Sequence, residues 1–137
     1  MKQLIIMSAI LVLLLTFPLQ YALEQKNHHD MLQLQTFVHN AKEQAKQEGY
    51  FTADIISNLE ANIINEFESI DPSEIVIDAT GVSERKERGE LIYYKIGVPI
   101  NDIIAVNKFW GIDEADNTMI YYIENYTTSE KVTQWNN

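Results

Sequence analysis

Cysteine is absent from the 137 residues, which removes a disulfide framework, a thiolate zinc site and a thiol nucleophile together. Such a chain, if it folds outside the cytoplasm, must hold its shape by packing alone. Positive charge is scarce: ten Lys and Arg stand against 20 Asp and Glu, for a formal net charge of −10. Every acidic residue lies at or beyond Glu24. A surface of that sign repels nucleic acid and anionic lipid, and it keeps an exposed domain soluble. GxSxG, a P-loop, HExxH and a Gly-rich dinucleotide turn are also missing, so no catalytic residue and no cofactor is expected, and the chain reads as non-enzymatic.

Metal sites fare no better. His28 and His29 are adjacent, and neighbours on a helix diverge by about 100°, too far to grip one ion. Asp113, Glu114, Asp116 and Asn117 lack the spacing, central glycine and terminal glutamate of an EF-hand loop and read as a solvated turn. Arg85, Lys86 and Arg88 form the one basic cluster, nearly cancelled by Glu84, Glu87 and Glu90. A solvated hairpin loop is the expectation there.

What the chain has instead is a long apolar run. Leu4 to Leu19 carries no charge, and the uncharged stretch continues to Leu23, twenty residues in all. At about 1.5 Å per residue that is roughly the 30 Å of a bilayer core. A cleaved signal peptide would want small residues at −3 and −1 of the cut; cutting after Ala22 puts Gln20 at −3. An uncleaved anchor over residues 1–23 is the better reading. Lys2 on the short side, with no basic cluster directly after the run, predicts a single pass with the amino end cytoplasmic and the rest outside the cell membrane. Pro18 falls near the outer end, where a kink is tolerated.

Past the span, Met31, Leu34, Val38, Ala41 and Ala45 recur at spacings of 3, 4, 3 and 4, a narrow heptad stripe. Strong helix formers lie between them, and Gly49 supplies a C-terminal cap. Residues 24–49 are thus an amphipathic stem, and one helix from Leu4 to Glu48 would measure about 68 Å. The stripe has two readings that do not exclude each other: packing on the chain's own domain, and packing on other helices in an assembly, a homo-oligomer included.

Residues 50–137 read as a small α+β domain. Thr52 can cap a second helix from about Ala53 to Glu68, with Ile56, Leu59, Ile63, Phe67 and Ile70 inward. After Asp71-Pro72-Ser73 the period changes to 2. Strands follow at about Ile75–Thr80, Leu91–Ile100 and Thr118–Tyr126. The middle one is bulky on both faces, as a central strand is. Pro99 should close it, with Asn101 capping a short helix over 102–108. Phe109, Trp110 and Ile112 make a dense apolar patch, and tyrosines facing away from the helices could form a binding face.

This arrangement, with the helix exit Ala41-Lys42-Glu43-Gln44-Ala45-Lys46-Gln47-Glu48-Gly49-Tyr50-Phe51-Thr52, resembles the TadE-type minor pilins and pseudopilins of type IV and tight-adherence (Flp) pilus systems. There, an apolar amino-terminal segment runs into one long helix that carries a small antiparallel sheet. The resemblance implies a membrane-anchored component of a pilus or secretion assembly, with other pilin-like or secretion-system proteins as partners. The sequence lacks a Gly before the apolar core with a Glu five residues into it, the pattern of a prepilin-peptidase site. A tethered extracytoplasmic binding or sensing module outside any filament is the alternative.

Overall fold

A computed structural model of the chain describes residues 1–67, 70–79 and 84–132. The elements, in order, are α1 (Lys2–Glu48), α2 (Ala53–Glu66), β1 (Val76–Ala79), β2 (Leu91–Asn101) and β3 (Thr118–Thr128), with short 3-10 turns at Pro72–Glu74, Asn107–Trp110 and Glu114–Asp116. The class is α+β, and the sheet is antiparallel in the order β1-β2-β3. The chain packs as two compact units: Met1–Asp30 with Ile100–Met119, and Met31–Pro99 with the stretch from Ile120 onward.

The second unit holds the hydrophobic core. Leu34, Val38, Ala41 and Ala45 of α1 meet Ile55, Leu59 and Ile63 of α2 and Ile92, Tyr94, Ile96 and Val98 of β2, with Phe51 filling the corner between the helices. Phe51 and Tyr94 pack as a tilted ring pair, 5.6 Å between centroids. Thr52 caps α2 by accepting the Ile55 N–H at 3.2 Å. The buried face of α2 is set by Ile55, Leu59 and Ile63, a strict i, i+4, i+8 row. Ile55 therefore takes the first place that the spacing had given to Ile56, which is only half-buried alongside Phe67 and Ile70. The expected helix end at Glu68 and the strand end at Thr80 lie outside the described residues, as do Gly81 to Ser83 and Trp135.

Gly49 closes α1 as expected, and for two reasons. Its φ of +85° belongs to the left-handed region, and a Cβ there would stand 2.5 Å from the Lys86 carbonyl oxygen. That carbonyl also accepts the Ser129 hydroxyl at 2.9 Å, and Lys86 N–H donates to the Gly49 carbonyl at 2.9 Å. The end of α1 is thus tied to the segment before β2 and to the segment after β3.

Pro99 does not end β2, which runs on to Asn101. The register explains why. β1 pairs Val76↔Gly97, Ile77↔Ile96, Asp78↔Lys95 and Ala79↔Tyr94, so Pro99 lies beyond the end of its β1 neighbour, where a missing N–H costs no ladder bond.

In the first unit the helix expected over 102–108 is replaced by a looped turn that reaches helical geometry only at Asn107–Trp110. Asp102 and Val106 have φ of 60° and 57°, which breaks any continuous helix. Side chains take up the backbone groups instead. Gln20 Nε2 donates to the Ile103 carbonyl at 3.1 Å, and its Oε1 accepts the Ala105 N–H at 2.9 Å. Buried Asn117 does the same for Ile104, accepting its N–H at 2.7 Å and donating to its carbonyl at 3.2 Å.

Candidate membrane and interaction surfaces

The apolar part of α1 has the length and composition of a membrane span, and none of its most apolar 18-residue window is buried. Leu4, Met7, Leu11, Leu14 and Phe17 are each more than half exposed. Its serine and threonine hydroxyls are satisfied locally: Ser8 donates to the Leu4 carbonyl at 2.7 Å and Thr16 to the Val12 carbonyl at 2.9 Å. Polar side chains in apolar surroundings settle on the i−4 carbonyl in this way. Pro18 lies inside the helix without ending it.

The heptad stripe faces inward. Leu34, Val38, Ala41 and Ala45 are at most 5% exposed in the core of their own unit, and Met31 is half-buried. Packing on the chain's own domain, the first of the two readings, is observed for Leu34, Val38, Ala41 and Ala45. Leu32, 48% exposed, sits off the stripe, next to exposed Gln35, Thr36, His39 and Asn40.

The sheet has a second, outward face that the hydropathy pattern only hinted at. The β1–β2 register puts Val76, Asp78, Lys95 and Gly97 on it, joined from β3 by Tyr122 and Glu124. Tyr122 lies across Gly97: a Cβ added at Gly97 would come 2.5 Å from Tyr122 Cε1 and 3.3 Å from Ile120 Cγ2. Glycine here is a seat for a ring. Lys95 Nζ stands 4.9 Å from the Tyr122 ring centroid and pairs with Glu124 at 3.2 Å. Tyr93 packs on Tyr126, centroids 5.2 Å apart. A hydrogen bond from Tyr93, then Lys95, hold the Glu124 carboxyl below its ordinary range; desolvation first, then Glu124, push the Tyr93 hydroxyl up. The result is an ordered aromatic face, with Tyr122 46% and Tyr126 60% exposed. Alternation of Tyr121 and Tyr122 showed two faces; which tyrosine was free depended on Gly97, whose role needs the β3 neighbour.

Comparison with family models, curated proteins and solved structures returned no match for the chain. Function must be argued from these surfaces.

In the first unit, Phe109 and Trp110 pack edge to face, centroids 5.3 Å apart, and line an open groove with Ser8, Ala9, Val12, Leu13 and Thr16. They remain 60% and 55% exposed. Lys108 and Glu114 beside them pair at 2.7 Å, which lowers the Glu114 carboxyl and raises the Lys108 ammonium. Among the described residues no group of three metal-ligating side chains occurs. His39 Nδ1 lies 3.2 Å from Lys42 Nζ. The basic cluster is partly spent on acids: Arg85 approaches Glu48 at 3.9 Å and Lys86 pairs with Glu84 at 3.4 Å.

Proposed function

We propose that the protein is a non-enzymatic, single-pass, membrane-anchored pilin-like component of a pilus or secretion assembly, its amino end cytoplasmic and its domain extracytoplasmic. The observation that carries the reading is the contrast within α1. Its first part is an exposed apolar helix of spanning length, whereas its last part supplies the buried wall of an α+β core. A helix built this way needs an apolar medium at one end and water at the other. Partners of the pilin-like or secretion-system kind would meet the lipid-facing residues of α1 and the ordered face of Tyr93, Tyr122 and Tyr126, since the heptad stripe is engaged at home. Aromatic side chains held rigid by their neighbours contribute contact area at small entropic cost.

The alternative, a tethered binding or sensing module that enters no filament, is favoured by the burial of the stripe: it leaves the aromatic sheet face as the larger ordered surface outside the span.

Alkaline extraction of membranes, with intact mass of the extracted chain, tests the anchor: retention with residues 1–23 present is expected, and a freely extracted or trimmed chain overturns it. Photo-crosslinkers at Leu14 and Tyr122 then separate the two readings. Adducts from both positions to like proteins support assembly, and adducts from Tyr122 alone support the tethered module.

A further inference from the structure

The two edges of the sheet are not alike. β1 is four residues long and carries Asp78, and a short, charged strand is how natural sheets blunt an edge. β3 lies at the opposite edge. It runs for 11 residues, none of them Pro, Gly, Lys or Arg, and its single charge is Glu124. Nothing in such a strand discourages another from pairing with it.

Which of its backbone groups are open follows from the register with β2. Tyr93 packs on Tyr126, Lys95 pairs with Glu124 and Gly97 seats Tyr122, one register throughout. Ser129 keeps that step: it donates its N–H to the Glu90 carbonyl and accepts the Gly89 N–H, both at 2.9 Å. Residues of an antiparallel strand turn their N–H and C=O alternately toward and away from a given neighbour. Counting back by twos from Ser129, Ile123 and Tyr121 serve β2, whereas Ile120, Tyr122, Glu124 and Tyr126 turn theirs to the open side. Among the described residues Asn125 alone answers any of these groups, its Oδ1 accepting the Tyr126 N–H at 2.8 Å. The side chains beside the row leave it accessible, Ile120 being 42% exposed.

We infer that the open edge of β3 pairs with the same edge of a second copy of this chain, antiparallel and about a two-fold axis at Ile123, so that two sheets become one. The occupant is a second copy because the edge is complementary to itself at that register. Ile120 falls opposite the second copy's Tyr126, an aliphatic–aromatic pair, Tyr122 falls opposite its Glu124, and the two Ile123 side chains meet on the axis. Moving the axis one residue on, to Glu124, would set carboxylate against carboxylate. Charge is matched as well. Lys95 Nζ stands 4.9 Å from the Tyr122 ring centroid, so the Glu124 carboxylate that arrives at this ring from the other copy also meets the cation resting on it. A chain of net charge −10 repels its own kind over most of its surface, and β3 sets a single charge against that. Pairing needs only the sheet, so it stands or falls apart from the membrane-anchored reading.

The full-length chain in dodecyl maltoside micelles is followed by sedimentation over a dilution series and by amide exchange read residue by residue in NMR spectra. The expected result is a dimer that dissociates on dilution, with the Tyr122 and Glu124 N–H groups exchanging about tenfold more slowly in the dimer than in the monomer. Glu124→Pro removes an outward N–H and spares the β2 ladder, as proline does at an open edge; it should give a monomer with unchanged far-ultraviolet dichroism. A chain that stays monomeric at every concentration overturns the proposal, and slow exchange of these groups in that monomer would show a different segment on the edge. A folded Glu124→Pro variant that still dimerises also overturns it, since the copies then meet elsewhere. Should Glu124→Pro not fold, the sign of charge at position 122 decides. Tyr122→Glu faces carboxylate with carboxylate and should weaken the dimer about fivefold relative to Tyr122→Lys, which offers Glu124 a cation. Equal dimer constants for these two variants overturn the pairing.

Discussion

At the scale of single residues, two glycines carry more of the structure than any charged side chain. Gly97 makes room for the Tyr122 ring, and Gly97→Ala should cost about 1–3 kcal/mol, the usual penalty of overpacking. Denaturant unfolding followed by near-ultraviolet dichroism checks this. The double variant with Tyr122→Ala should lose less than the sum of the singles, because the clash has lost its partner; strict additivity would mean the ring does not sit there. Gly49 is stricter, since both its φ and the Lys86 carbonyl resist a side chain. Gly49→Ala should destabilise more than Gly97→Ala, because backbone yields less readily than a tyrosine ring. The capping role of Gly49 was readable in the sequence from its place after a helical run. Gly97 was not, since its use depends on a residue 25 positions away on another strand.

At the scale of elements, α1 has an exposed apolar part and a part that walls the core, and the test is to compare neighbours on its surface. Leu34→Ala removes a side chain that is 1% exposed and should cost about 2–5 kcal/mol. Leu32→Ala, at a position 48% exposed, should stay within about 0.5 kcal/mol. Equal effects would mean that the stripe is not the core wall. Periodicity located α1, α2 and all three strands, because each buries one face and writes that face into the spacing of its apolar residues. It failed at the β2–β3 connection. Residues 102–108 are too few to express a helical period, and side chains from Gln20 and Asn117, remote in sequence, compete for the backbone bonds a helix would have used. It also read Pro99 as a stop, for want of knowing where β1 ends.

At the scale of the whole molecule, charge sets the response to pH. Glu43, Glu114 and Glu124 are held low chiefly by hydrogen bonds to Lys42, Lys108 and Tyr93, and Asp71 by the Ser73 backbone and hydroxyl. A carboxyl lowered in the fold contributes stability that is complete above its unfolded value, about 4 for these residues, and is lost as pH falls through the folded value. Stability should therefore be level near neutrality and fall below about pH 4, and Glu124→Gln should reduce that fall. Lys46 and Lys108, raised by Glu130 and Glu114, contribute below the ordinary lysine range and lose that contribution only in strong alkali. By itself the sequence determined the candidate apolar span, the α+β class and the acidic composition, because these follow from composition and local period. Tertiary structure alone decided that the heptad stripe is spent on the chain's own core, that Gly97 seats a tyrosine, and that the β2–β3 connection turns its apolar side chains outward. Each of these depends on which distant residues meet, and no spacing along the chain records that.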